Sequence, residues 1–472
     1  MGGFNSGTLD RFVEIVGQSH ALRDPADIRP FLTEPRGLWS DGATPVVLRP
    51  GSVDEVSRVL KLATETRTAI VPQSGNTGLV GGQTPDRSGR QILLSLSRLN
   101  RIREIDTLSN TITAEAGVIL ETLQQAADSA DRLFPLSLGS QGSCQVGGNL
   151  SSNAGGTGVL AYGNMRELCL GVEVVLPTGE VLDDLRKLKK DNTGYDLKNL
   201  FVGAEGTLGV ITAAVLKLFP KPKGQEVAWA GVPSPSAALD LFTLATDRAG
   251  TGLTAFELVA DIAMDFSARH IPGVVRPLDG WPWYVLMEIS SGRSAEDARG
   301  LIEHILSDGL EAGYAGDAVI AVNLDQASAF WRLRESLSDS QRPEGASIKH
   351  DISVPVASIP AFIEEAGQAV ATVSPDARVV CFGHMGDGNL HYNVSQPVDS
   401  DAASFLKLYR AMNKAVHDIV RAYGGSISAE HGIGRLKRDE LLATAPTLAI
   451  DLMRRVKAAF DPAGIMNPGK VI

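Results

Sequence analysis

The chain has 472 residues, too many for one hydrophobic core, so two or three domains are expected. Its 43% hydrophobic and 21% charged residues describe an ordinary soluble globular protein, and a net charge of −11 argues against a broad nucleic-acid or anionic-membrane surface, though not against a local basic pocket. The cysteines Cys144, Cys169 and Cys381 form no CxxC, the N-terminus lacks a long apolar segment, and no run of ~18 apolar residues is present, so a reducing, cytoplasmic setting without a membrane span is expected.

In chain order, residues 8–17 read as a short amphipathic helix and 45–50 as a strand. Ser52 with Glu55 forms a capping box that opens a helix running to about Thr66. Strands are expected at 68–73, 92–99 and 110–117, and a helix at 118–130. Residues 171–183 read as a hairpin turning at Pro177-Thr178-Gly179, and 207–220 as a buried strand pair or one long bent strand. The stretch PKPKGQ (220–225) is a plausible domain boundary. Beyond it the order β-α-β-β-α-β, from VAWAGV to AVIAVN (318–323), reads as a ferredoxin-like unit with an antiparallel sheet and its helices on one face. A helix carrying Arg334, a hairpin at 382–394, a long helix (402–422) and a last helix (446–459) follow.

Three glycine-bearing segments could carry chemistry. PQSGNTGLVGGQTPD (72–86) sets four glycines after a strand, which suits either a backbone nest for phosphate oxygens or a flexible surface loop. It is neither a P-loop nor a Rossmann fingerprint. The stretch 135–167 is rich in Gly, Ser and Asn yet keeps apolar anchors such as Val146 and Leu150, so it reads as an ordered loop, either wrapped round a cofactor or merely structural. In KDNTGYDLKNLFVGAEGTLGVIT (190–212), polar turn residues lead into a Gly-flanked glutamate, Glu205, and then an apolar strand.

FGHMGDGNLHYNV (382–394) sets His384 and His391 around an Asp-Gly turn signal. A two-residue turn at Asp387-Gly388 would pair the histidines directly across the hairpin, with Asn393 on the same face. That suits two imidazoles sharing a cation, or an ordinary cross-strand pair on a solvated hairpin.

Together with ISAEHGIGRLKRD (427–439) and FDPAGIMNPGK (460–470), these segments resemble the FAD-linked D-2-hydroxyacid dehydrogenases of the vanillyl-alcohol oxidase, or p-cresol methylhydroxylase, type, and within them the D-2-hydroxyglutarate dehydrogenases. The resemblance runs over nearly the whole chain. It implies an α+β protein: a two-subdomain FAD-binding domain of the vanillyl-alcohol oxidase type at 1–221, a ferredoxin-like substrate and metal domain at 222–455, and a tail at 456–472 returning to the flavin domain.

The resemblance places the FAD pyrophosphate on Ser74, Gly75, Asn76, Thr77 and Gly78, the isoalloxazine and ribityl side on Pro135, Gly139, Ser143, Gly148, Asn149 and Ser152, and the adenine end on Gly206 and Ile211. Asn76 stands where covalent relatives carry a flavin-linking histidine, so the FAD is expected to be non-covalent. His384, His391 and Glu430 match the divalent-metal ligands, zinc being usual and manganese or another divalent ion open. His431 matches the general base, and Arg334, Ser338, Lys349 and Asn393 match substrate contacts. In isolation, Arg334 reads equally as an arginine on a solvated helix face. Lys349 suits the second carboxylate of a dicarboxylate substrate. The implied reaction is oxidation of D-2-hydroxyglutarate to 2-oxoglutarate by hydride transfer to flavin N5, with D-lactate, D-malate or glycolate as alternative substrates. An electron-transfer flavoprotein, a quinone or a dye-like carrier would accept the electrons, and a homodimer is the default assembly. A His₂Glu zinc hydrolase would leave residues 72–212 without a role, and a non-catalytic FAD module would leave His431 without one.

Overall fold

The computed structural model describes residues 6–472. It forms two compact units: the first comprises the chain up to Gly155, Gly163–Lys221 and Glu430–Ile472, and the second Gly156–Tyr162 and Pro222–Ala429.

The first unit holds two sheets. In one, the strands follow the order Ala21–Leu22, Val47–Leu48, Gln91–Ser95, Ala69–Gln73, and the last three are parallel. The helix Val53–Thr66 packs Val56, Val59 and Leu60 into the core beneath. Its N-cap is as expected in one half: the Ser52 side chain accepts from Glu55 N–H, whereas Glu55 reaches Gly51 N–H at 2.7 Å rather than the cap residue itself. In the other sheet, Val210–Lys217 is the central strand of five, antiparallel to Thr111–Glu115 and Cys169–Val175, and 207–220 resolves as this strand followed by a short second one, Phe219–Pro220, paired with Arg132–Leu133. The hairpin Cys169–Val175/Val181–Asp184 turns at 177–179 as expected. The edge strand Ile102–Asp106 was not anticipated, because its IREID sequence carries three charges in five residues. The glycine-rich stretch 135–167 holds three short helices, Val146–Ser152, Val159–Tyr162 and Met165–Leu168, rather than loop alone. Asn153, in the left-handed region at φ 53°, ends the first, and an Asn164–Glu167 capping box starts the last.

The chain end threads back into this unit. Ile70 N–H donates to Ile465 O, and Asn467 N–H donates to Ile70 O, both at 2.8 Å. Asn467 Nδ2 donates to Gly82 O and Glu205 O at 2.9 and 2.8 Å, and Lys470 Nζ to Thr84 O at 2.8 Å.

In the second unit, Asp317–Ile320, Gly224–Val232, Trp283–Ser291 and Leu253–Ala260 lie side by side in that order, all antiparallel, which is the ferredoxin-like arrangement expected. The sheet then continues through Arg378–His384 and Asn389–Ser395. The two helices of that unit lie on one face as expected, and two further helices cover the other. Alternate residues of Gly224–Val232 enter opposite cores: Ala228, Ala230 and Val232 meet helices Pro235–Ala249 and Ala295–Glu311, while Val227 and Trp229 meet Asp261–His270 and Leu324–Ser336. The helix Asp261–His270 was not anticipated, and the expected long helix at 402–422 is broken at 407–408 into Ala402–Leu406 and Tyr409–Ala422. Within this unit Leu160 packs so closely on Gly386 that a Cβ there would stand 2.8 Å from Leu160 Cδ2.

The two glycine segments of the first unit meet at Gly75. A Cβ on Gly75 would collide with Ser143 O and stand 2.9 Å from Cys144 Cα, both backbone atoms with no freedom to swing aside. Gly75→Ala is therefore expected to destabilise this unit by about 1–3 kcal/mol. Differential scanning fluorimetry should show a Tm lowered by roughly 2–4 °C per kcal/mol. An unchanged Tm would mean that the two segments can part without cost.

Candidate functional site

The first unit carries a cleft of about 140 Å³ built largely from backbone. The turn after Ala69–Gln73 supplies Ser74, Gly75, Asn76, Thr77 and Gly78; the helix Val146–Ser152 supplies Gly148, Asn149 and Ser152; Gly206 and Ile211 close another side. Ten of the thirteen residues expected to hold FAD thus line one cleft, while Pro135, Gly139 and Ser143 lie outside its lining. Pro72, Gln73, Val80, Gln145 and Glu205 line it as well and were not anticipated as cofactor contacts. The Asn76 side chain donates to Thr33 O at 2.7 Å and Pro30 O at 3.2 Å, which fixes its left-handed turn at φ 55°. A glycine- and serine-lined cleft of this kind, open to backbone amides, fits a large phosphate-bearing cofactor.

His431 lines this same cleft. Its position follows from Glu205, a half-buried carboxylate at φ 52° that accepts from Ile433 N–H at 2.7 Å and Gly434 N–H at 2.8 Å. Burial pushes the Glu205 carboxyl up, and those two amides pull against that shift. Gly432 leaves no room for a side chain, since a Cβ would stand 2.7 Å from Glu205 Oε1. Arg435 N–H donates to Val80 O at 2.9 Å, so the loop after His431 is pinned to the first glycine segment at a second point. Sequence reasoning noted Glu205 between glycines but missed this anchoring, which joins residues more than two hundred positions apart.

The second unit carries the histidine pair. The expected hairpin register is corrected: His391 pairs with Phe382, not with His384. A turn of 3-10 helix at Met385–Asp387, followed by Gly388 at φ 86°, lengthens the connection beyond two residues. The register moves by two, and a shift of two keeps every side chain on its face. His384 and His391 therefore remain neighbours, with ring centroids 5.6 Å apart and planes at 77°. Asn393, two residues on and buried, faces the same way as His391.

Glu257 is the residue that sequence reasoning missed here. It pairs with His384 in the register of Leu253–Ala260 and Arg378–His384, and its Oε1 lies 2.8 Å from His384 Nδ1. Arg334 Nε donates to its Oε2 at 2.7 Å, with Nη2 2.6 Å from the same atom. Burial pushes the Glu257 carboxyl up, but Arg334 and His384 outweigh that and bring it down to about 2. The available signal was a lone carboxylate in LTAFELVA, a strand with all eight residues buried, since a buried Glu requires a partner.

Arg334 is accordingly buried rather than on a solvated face, and its guanidinium also lies over the Phe382 ring at 5.2 Å. The helix ends at Ser336, and Ser338, exposed, follows in helical backbone (φ −73°, ψ −41°) ahead of the 3-10 turn Asp339–Glu344. Lys349 stands just after the strand Ser347–Ile348 and its Nζ donates to Ser338 O at 3.2 Å. Asp351 and Asp387 complete the acidic side of this region: Asp351 Oδ1 accepts from Asn389 Nδ2 at 3.1 Å, and burial pushes Asp387 up to about 6. The unit ends at Ala429, and Glu430 is the next residue of the chain. Two imidazoles on one face, one with its Nδ1 already engaged by a carboxylate, form a donor set that fits a divalent cation.

Comparison with known proteins places the chain among flavoproteins, with a family boundary near residue 221. The family described as FAD linked oxidases, C-terminal domain, matches residues 221–471, and the FAD binding domain family matches residues 44–184. A D-2-hydroxyglutarate dehydrogenase of Xanthomonas citri pv. viticola is 36% identical over 95% of this chain and 93% of that protein. The mitochondrial D-2-hydroxyglutarate dehydrogenase of Danio rerio is 38% identical over 91% of this chain and 79% of its own. A Schizosaccharomyces pombe protein named putative D-lactate dehydrogenase, mitochondrial, is 36% identical over 98% of this chain and 89% of its own. Among solved structures, p-cresol methylhydroxylase with substrate bound has a TM-score of 0.77 at 16% identity, covering 99% of this chain and 96% of that one, which shows the shared fold. With a glycine-built cleft on the first unit, and with relatives of this identity over most of the sequence, the chain belongs to the FAD-linked oxidase family, among the D-2-hydroxyglutarate dehydrogenases.

Proposed function

We propose that this protein oxidises D-2-hydroxyglutarate to 2-oxoglutarate, with FAD and a divalent cation bound and His431 as general base. The observation that carries the reading is the presence of His431 in the lining of the cleft formed by Ser74–Gly78 and the helix Val146–Ser152. When bound, FAD takes up the hydride equivalent from the substrate Cα, and a divalent cation on His384 and His391, with a carboxylate from Glu430, acidifies the 2-hydroxyl.

The residues of the chain do the rest. His431 accepts the hydroxyl proton, and Glu205 holds the loop that carries it. Asn393 and Ser338 offer hydrogen bonds to the substrate. Lys349 faces the second carboxylate with an ammonium donor. Arg334 has both Nε and Nη2 turned to Glu257, so its part is the support of Glu257 more than direct charge on the substrate.

A second reading, D-lactate oxidation, is favoured by the name of the Schizosaccharomyces pombe relative. Lys349 separates the two. Anaerobic bleaching of the flavin should be fastest with D-2-hydroxyglutarate, slower with D-malate and slowest with D-lactate. Lys349→Ala is expected to lower kcat/KM for D-2-hydroxyglutarate by roughly 10–100-fold, the loss of one charge-assisted hydrogen bond. The same substitution should leave D-lactate nearly untouched; equal losses on both substrates would reject the dicarboxylate role.

His431→Ala should purify yellow, with flavin content as in the parent. Its anaerobic flavin reduction should be slower by about 10²–10⁴-fold, the usual worth of a general base. Reduction at the parental rate would remove His431 from the mechanism, and a colourless parent protein would remove the flavin itself.

A further inference from the structure

We propose that Glu257 is the positioning residue of the metal site: it fixes His384 in the tautomer whose Nε2 lone pair can bind a cation, and Arg334 holds Glu257 in place to do so. The proposal rests on the reading of His384 and His391 as metal ligands.

Three observations carry it. Glu257 and His384 are cross-strand partners, so the backbone register and not a flexible side chain sets their approach. The ionised carboxylate has no proton to donate and only accepts, so the Nδ1 that lies 2.8 Å from Oε1 must carry the proton. A neutral imidazole with Nδ1–H has its lone pair on Nε2, the form a metal ligand needs. Arg334 occupies the other carboxylate oxygen through Nε at 2.7 Å and Nη2 at 2.6 Å, and both side chains are buried. That contact leaves Oε1 as the oxygen turned to the histidine.

The substitution Glu257→Gln separates this role from simple packing. The amide keeps the shape but has one acceptor and one donor. Arg334 can only donate, so it claims the amide oxygen, and the amide NH₂ is left facing His384 Nδ1. His384 must then accept at Nδ1 and carry its proton on Nε2, which blocks the ligand lone pair. No such inversion follows if Glu257 merely fills space.

The test is equilibrium dialysis of the FAD-loaded full chain against Zn²⁺ and Mn²⁺, with His391→Ala as the reference for site binding. Glu257→Gln is expected to bind the ion 10–100-fold more weakly than the parent, with flavin content unchanged. A Glu257→Gln protein binding within about twofold of the parent overturns the proposal while the metal reading stands. A parent whose metal binding is indifferent to His391→Ala overturns the metal reading instead. A variant-free measurement covers the case in which Glu257→Gln does not fold. In metal-free parent protein labelled with ¹⁵N-histidine, the His384 resonances, assigned by their loss in His384→Gln, should show a protonated Nδ1 and an unprotonated Nε2. The opposite tautomer rejects the proposal.

Discussion

The second unit is organised around one costly act, the burial of the Glu257 carboxylate in a strand whose other residues are apolar or small. Removing a charge from water costs several kcal/mol unless compensating charge and hydrogen bonds are placed against it. Here the compensation comes from two directions. Arg334 arrives from the helix Leu324–Ser336 on one face of the sheet, and His384 from the adjacent strand. The ion pair therefore locks that helix to the sheet at the point where the hairpin begins. Phe382 seals it, with the Arg334 guanidinium over its ring on one side and the His391 ring 5.1 Å away. Removing one member would leave the others buried and unmatched, which couples stability of the unit to integrity of the imidazole pair.

The first unit solves a different problem with a similar element, a half-buried carboxylate. Glu205 compensates for its burial by gathering backbone amides, not a cation, and the amides belong to the loop behind His431. The chain end adds further ties through Asn467 and Lys470, whose Nζ burial brings down to about 8 while it donates to Thr84 O. As a result His431 is mounted on the same scaffold as the flavin segments. A histidine carried on that scaffold keeps its relation to the cleft whatever the loops at the surface do, which is what the proposed role of general base requires.

What could be read in the sequence was local or periodic. The capped helix after Ser52, the hairpin at 177–179 and the ferredoxin-like strand order all follow from turn chemistry and alternation. The histidine hairpin shows how such reading can be wrong in detail yet right in consequence: the turn was longer than Asp387-Gly388, but a shift of two residues preserves the face. The misses share another cause. Glu257–Arg334 and Glu205–Gly434 join positions distant in sequence, and no local rule marks them in advance.

The charges around the imidazole pair bear on the proposed cation. Glu257 and Arg334 cancel one another as a buried pair. Asp351 is buried at the strand facing His391, and Asp387, pushed up to about 6, is largely ionised at neutral pH. Against these stands Lys349. The fixed side chains of this unit therefore present no surplus of positive charge to a dianionic substrate, in a chain whose net charge is −11. Two carboxylates entering such surroundings would be repelled as much as attracted. The proposed divalent cation would resolve this: held by the imidazole pair, it would supply two positive charges to the proposed anionic substrate at a site rich in acids. On this view the acids near the imidazole pair set the affinity for the cation, and Lys349 discriminates among the anions that the cation brings in.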